Sequence, residues 1–268
     1  MSAGLLRLER AGPHLTITLD DPRRQNALSA DMVAEIDAAL DDSRTRGLAS
    51  LTIAGANGIF SAGADLKSLS AGLAQSPAPG EADPLRDQNR AGGHFYARLN
   101  AHPAPTIAVV DGAAVGGGMG LACCADIVIA TQRARFALAE TSLGIPPAQI
   151  APYLVARLGE RHTRRLALTG ARIDGREAAA IGLADFYCDT DQERDATLAT
   201  LQKQIGRCAP GANAATKRLI QACRDGATPA YIEDAARSFV SCLRGPEGRE
   251  GVAAFIEKRA PNWAERKS

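Results

Sequence analysis

The chain has 268 residues, 46% of them hydrophobic but only 4% aromatic, so its core must be filled by Ala, Leu, Ile and Val. That length suits one large domain, or a core domain with a smaller appendage. A net charge of +1 and the lack of a basic stripe interleaved with aromatics argue against nucleic acid as a partner. No stretch is long and apolar enough for a signal peptide or a membrane span, so the expectation is a cytoplasmic protein with no membrane partner.

Alternating apolar residues predict strands over 5–8 and 15–19, joined by the turn Ala11–Gly12–Pro13. Ser29 has the chemistry of an N-cap for a helix carrying Met32, Val33, Ile36 and Leu40 on one face. A short strand over 51–54 and an Asn57–Gly58 turn come next. Residues 70–84, rich in Ala, Gly, Ser and Pro, read as a mobile loop, and a helix is expected from about 88 to 101. A buried strand over 106–110, a helix over 119–125 and a strand over 126–130 follow. Strand signals stop near Asp195, after which 201–207, 212–223, 231–243 and 248–258 all read helical. The pattern predicts an α/β core of mainly parallel strands over 1–195 and a helical region over 196–268. No internal sequence repeat is visible.

The six cysteines form no Cys-x-x-Cys pair, and the adjacent Cys123 and Cys124 lie in an apolar run. They read as small buried hydrophobes, not as metal or redox ligands.

Two glycine-bearing segments carry the chemistry: Phe60–Ser61–Ala62–Gly63–Ala64–Asp65–Leu66–Lys67 and Asp111–Gly112–Ala113–Ala114–Val115–Gly116–Gly117–Gly118. Each reads as a turn that exposes a backbone N–H and then opens a helix. Two such groups converging on one point would form an oxyanion hole, and the reaction would pass through an enolate or a tetrahedral oxyanion. Glu140 follows, just before the rigid run Gly144–Ile145–Pro146–Pro147.

These segments resemble those of the crotonase family, the enoyl-CoA hydratases and isomerases. The likeness runs from Leu19–Asp20–Asp21–Pro22–Arg23–Arg24–Gln25–Asn26–Ala27–Leu28 to Glu250–Gly251–Val252–Ala253–Ala254–Phe255–Ile256–Glu257–Lys258–Arg259, by way of Leu168–Thr169–Gly170 and Glu177–Ala178–Ala179–Ala180–Ile181–Gly182–Leu183. The resemblance implies a crotonase-like spiral of ββα units followed by a helical trimerisation region, assembled as a homotrimer or a dimer of trimers. It implies an acyl-CoA thioester as substrate, with coenzyme A part of that substrate and no separate cofactor or metal. By carry-over, the N–H groups of Ala64 and Gly117 would hold the thioester oxygen, and Glu140 would move the proton. Ala62, Asp65 and Gly116 would line the substrate in the same segments, with Asp65 also suited to capping the helix it opens. Arg23 and Lys67 would meet the nucleotide end of CoA, and Phe255 and Lys258 would reach it from a neighbouring subunit.

The chain departs from the fatty-acyl pattern in one respect. Those hydratases use two glutamates, and the first, three residues after the middle glycine, is Gly120 here. The run Gly144–Ile145–Pro146–Pro147–Ala148–Gln149–Ile150–Ala151–Pro152–Tyr153, with Gly118–Met119–Gly120–Leu121, resembles the branch that hydrates isohexenylglutaconyl-CoA and methylglutaconyl-CoA. Such substrates carry an extra carboxylate besides the thioester, for which Gln149 is a candidate partner, or else a partner for the water. Three activities stay open at this point: a hydratase, an isomerase using the single Glu140, and a catalytically weak acyl-CoA-binding homologue.

Overall fold

The alternation over the first twenty residues gives a hairpin, β1 (Leu6–Ala11) and β2 (His14–Leu19), closed by Gly12. In the computed structural model, residues 4–264 are described apart from 46, 75, 76, 78–80, 224 and 225. Ser29 Oγ accepts from Met32 N–H (3.2 Å) at the start of α1 (Ala30–Thr45), whose Met32, Ile36 and Leu40 are fully buried.

From here the chain alternates between two sheets. The strands β3 (Ser50–Gly55), β5 (Thr106–Val110) and β7 (Ile127–Thr131) add in parallel to β2, and β10 (Phe186–Cys188) closes that sheet in the order β1-β2-β3-β5-β7-β10. The strand after each turn, β4 (Ile59–Ser61), β6 (Ala113–Val115) and β8 (Arg135–Ala137), joins a second sheet, with β9 (Arg172–Asp174) antiparallel at its edge. The pairs β3/β4, β5/β6 and β7/β8 are thus successive turns of one spiral. The repetition is structural and leaves no repeat in the sequence. β5 is buried along its whole length, as its unbroken apolar run requires.

The expected loop over 70–84 is partly helix. Asp65 caps α2 (Leu66–Leu73), accepting from the Lys67 and Ser68 N–H groups, and so carries residues 70–73 into a helical turn. Asp83 caps α3 (Pro84–Asn100), with Pro84 placed where its missing N–H costs nothing. Of the same expectation, residues 75, 76 and 78–80 lie outside the described residues.

The helix α4 (Gly117–Cys124) runs from the end of β6 into the core, and α5 (Ala151–Thr169) bends at Gly159, which has a left-handed φ of 68°. After the short α6 (Gly175–Ala180) and β10, the described chain is helical: α7 (Asp191–Gly206), α8 (Pro210–Ala222), α9 (Pro229–Arg244) and α10 (Pro246–Ile256). The helix α7 covers the first sheet, packing Leu198, Leu201 and Ile205 on Ile107, Val109 and Ile129. Among the described residues no helix is long and apolar enough to cross a membrane.

Candidate active site

The first glycine segment is fixed by the loop before it. Asn26 is buried with φ 55°; its Oδ1 accepts from Asp21 N–H (2.8 Å) and its Nδ2 donates to Ile59 O (2.7 Å). Ser61 Oγ donates to Asn26 O (2.7 Å) and accepts from Gly63 N–H (3.1 Å). Ala62 N–H donates to Gln25 O, and Leu28 N–H to Gly63 O. At Gly63 (φ 85°) a Cβ would lie 2.4 Å from Val115 O, so only glycine fits the turn. The next N–H, that of exposed Ala64, has no protein partner among the described residues.

In the second segment Gly116 precedes α4, its N–H donating to Ala137 O (2.8 Å) and its φ of 51° setting the entry to that helix. Gly117 is the first residue of that helix, so its N–H falls outside the helical ladder and at the electropositive end. The two segments meet. A Cβ built on Gly63 would lie 3.0 Å from Gly117 N, and one built on Gly117 would lie 3.6 Å from Ala64 N. The Ala64 and Gly117 N–H groups therefore border one small space, as two fixed donors for an oxygen gaining negative charge must.

The bond from Gly116 N–H to Ala137 O also brings the end of β8 beside this space, and Glu140 stands three residues further on, in a single 3-10 turn (Glu140–Leu143). Thr141 Oγ1 donates to Ala167 O (2.7 Å) and Ile145 N–H to Glu140 O (3.1 Å), which pins the turn. The carboxylate folds back over Gly116: a Cβ there would lie 2.7 Å from Glu140 Oε1. Its Oε2 is buried and makes no hydrogen bond to the protein. Burial raises this carboxyl above its ordinary range, and the bond from its own backbone offsets that only in part. A desolvated carboxylate with a free lone pair can take up a proton and return it.

Two further side chains shape the space, and neither was singled out from the sequence. Tyr96 on α3 is buried, donates its hydroxyl to Gly117 O (3.1 Å), and would lie 2.7 Å from a Cβ on Gly117. In a sequence, an aromatic beside Phe95 and a turn before Leu99 looks like ordinary helical core. Ile150, buried at the start of α5, fills the face of Gly120: a Cβ on Gly120 would lie 2.2 Å from Ile150 Cγ2. The unusual run 146–150 was the available signal for it.

The other predicted residues spread outward. Asp65 spends its carboxylate as the cap of α2, beside exposed Lys67, and Ala62 is half-buried next to them. Arg23 is exposed on the loop that anchors the first segment. Gln149 donates Nε2 to Asn89 Oδ1 (2.7 Å) and lies against Gly93, both on the helix that carries Tyr96. Phe255 and Lys258 stand apart: Phe255 is 85% exposed on α10, which packs against α9, and Lys258 follows that helix with φ 56°. Cys123 and Cys124 are buried free thiols, and burial pushes Cys123 up to about 12.

The chain matches the family model described as Enoyl-CoA hydratase/isomerase over residues 12–266. It is 44% identical to the solved structure of Pseudomonas aeruginosa AtuE, with a TM-score of 0.91, covering 97% of this chain and 100% of that one. It is 30% identical to the 2,3-dehydroadipyl-CoA hydratase of Escherichia coli, covering 93% of this chain and 94% of that protein. It is 34% identical to the carnitinyl-CoA dehydratase of Salmonella arizonae, covering 96% and 97% respectively.

Proposed function

We propose that this chain, which belongs to the enoyl-CoA hydratase/isomerase family, is a hydratase that adds water across the double bond of a 2-enoyl-CoA thioester. The observation that carries this reading is the Glu140 carboxylate, buried at Oε2 without a protein partner and set beside Gly116 and the two free N–H groups. In the proposed reaction the thioester oxygen accepts from Ala64 and Gly117 N–H. Water adds to the β-carbon while its proton passes to Glu140, and the negative charge collects on the thioester oxygen. Glu140 then returns that proton to the α-carbon. One carboxylate serves both steps because the same proton is taken and given back. Losing one oxyanion donor typically costs about two to three orders of magnitude in turnover, so both segments are needed.

For the acyl chain, we infer a branched, glutaconyl-type ester. Its support is the run 144–153 together with Gly118–Met119–Gly120–Leu121, with Ile150 shaping the wall at Gly120. Family membership alone selects no acyl tail. Dehydroadipyl and carnitinyl groups differ in charge, and proteins named for each are about equally similar to this chain. The Gln149 amide, tied to Asn89, is the proposed partner of the extra carboxylate. The exposed apolar residues of α9 and α10, Phe239, Phe255 and Ile256 among them, suit burial in a homotrimer or dimer of trimers that would bring Lys258 to a neighbour's CoA.

Purified protein mixed with crotonyl-CoA, 3-methylglutaconyl-CoA and isohexenylglutaconyl-CoA tests the reading. Loss of the conjugated enoyl-thioester absorbance supports hydration. A second reading, double-bond isomerisation, is favoured by the single carboxylate that Ile150 enforces at Gly120. If the absorbance instead grows from a 3-enoyl-CoA and never falls with a 2-enoyl-CoA, the isomerase reading replaces the first.

A further inference from the structure

With Gly120 packed against Ile150, α4 presents no side chain that could hold the attacking water opposite Glu140. Another polar group does face that space, from a different helix. Tyr96 is 7% exposed on α3, and its oxygen lies 3.1 Å from Gly117 O and within 2.7 Å of the point where a Gly117 Cβ would stand. Ala64 N is 3.6 Å from that same point. The Tyr96 hydroxyl thus looks onto the space bordered by the two oxyanion donors, and Glu140 bounds it from the neighbouring glycine.

The protonation pattern is fixed by its surroundings. Burial, and then the nearby Cys124 and Glu140, hold the phenol far above its ordinary range, so it stays neutral. Its one proton is committed to Gly117 O, which leaves the oxygen lone pairs as acceptors. Ring packing on Phe95 (centroids 5.3 Å apart) and Tyr153 (6.3 Å apart) keeps the hydroxyl in place.

We propose that Tyr96 is a second catalytic residue, whose oxygen accepts a hydrogen bond from the attacking water while Glu140 takes the other proton. The inference rests on the hydratase reading. In the step, the water O–H bond facing Glu140 breaks and its proton goes to Oε2. The water oxygen bonds the β-carbon, and the π electrons move through the α-carbon to the thioester oxygen. The O–H held by Tyr96 stays intact and becomes the product hydroxyl. Tyr96 itself neither gains nor loses a proton.

The test is Tyr96→Phe, assayed in two reactions. Hydration of crotonyl-CoA and 3-methylglutaconyl-CoA needs the water to be held. Exchange of the α-protons of butyryl-CoA in D2O, followed by NMR, needs only Glu140 and the oxyanion donors. The expected result is a fall in hydration kcat of about 10- to 100-fold, the scale of a misplaced reactant, with KM within about threefold and α-proton exchange unchanged. Hydration within twofold of wild type overturns the proposal. An equal loss in both reactions also overturns it, and would show that the hydroxyl only positions the Gly117 peptide. If the wild-type protein exchanges α-protons yet hydrates no enoyl-CoA, the hydratase reading itself has failed, and the proposal falls with it.

Discussion

Ile150 Cγ2 occupies the space into which any side chain on Gly120 would grow, 2.2 Å from the Cβ position. The missing first glutamate is therefore built into the packing of α4 against α5, and replacing one residue does not restore it. We predict that Gly120→Glu destabilises the fold by about 1–3 kcal/mol, as overpacking does, and gives no gain in hydration. Thermal unfolding and turnover on the native-type ester check this. A clear rate gain would show that the site is a degraded two-glutamate centre.

Glu140→Gln should lower turnover by about two to four orders of magnitude, the usual worth of general acid–base catalysis, with acyl-CoA binding nearly intact. Calorimetry with a saturated acyl-CoA separates the two effects. More than a tenth of wild-type turnover would place the proton transfer elsewhere.

The same carboxyl sets a pH signature. Burial raises it above the ordinary 4.5, so the acid limb of kcat/KM is expected above that pH. For stability the sign is opposite to that of an ion-paired carboxylate. The native state binds this proton more tightly than the unfolded chain, so the contribution is fully present below the unfolded value and is lost as pH rises through the raised one. Glu140→Gln should therefore unfold at a higher temperature than wild type at pH 7. That advantage should shrink in scans at pH 4. A variant that is less stable at pH 7 would contradict the desolvated placement.

Gly63 and Gly117 should respond differently to alanine. At Gly63 the new Cβ meets backbone, Val115 O at 2.4 Å, with φ 85°, so Gly63→Ala should cost about 1–3 kcal/mol of stability. At Gly117, whose φ is not left-handed, it meets a single side-chain atom, the Tyr96 hydroxyl, at 2.7 Å. Gly117→Ala should cost less stability than Gly63→Ala and reduce turnover by about a hundredfold through misplacement of reacting groups. Equal effects on folding at both positions would refute the contrast.

The exposed α10 provides a test of assembly. Phe255→Asp should shift the light-scattering mass toward the monomer, because that residue is 85% exposed and its ring needs cover. Lys258→Ala should leave the mass unchanged but weaken CoA-ester affinity about tenfold, the worth of one charge-assisted hydrogen bond. Undiminished affinity in both variants would make Lys258 a surface charge and the site complete within one chain.

Some of this was written in the residues themselves. Alternation and apolar runs specify β1, β2, β3, β5 and β7, because those strands are long enough to show a period. The second sheet was not legible: β4, β6, β8 and β9 are three residues each, too short for any period, and exist because the spiral stacks one turn on the next. Glycines mark where the chain must turn tightly, so the two segments were legible, and the resemblance to the family pointed within and beyond them to Ala64, Gly117 and Glu140. What only the tertiary structure decided is their convergence on one space. It also decided the loss of room at Gly120 to a residue 30 positions later and the arrival of the Tyr96 hydroxyl from α3. Buried contacts between distant segments are set by the packing of whole elements: in a sequence Tyr96 looks like any other core residue, and the run that holds Ile150 does not say which residue it meets.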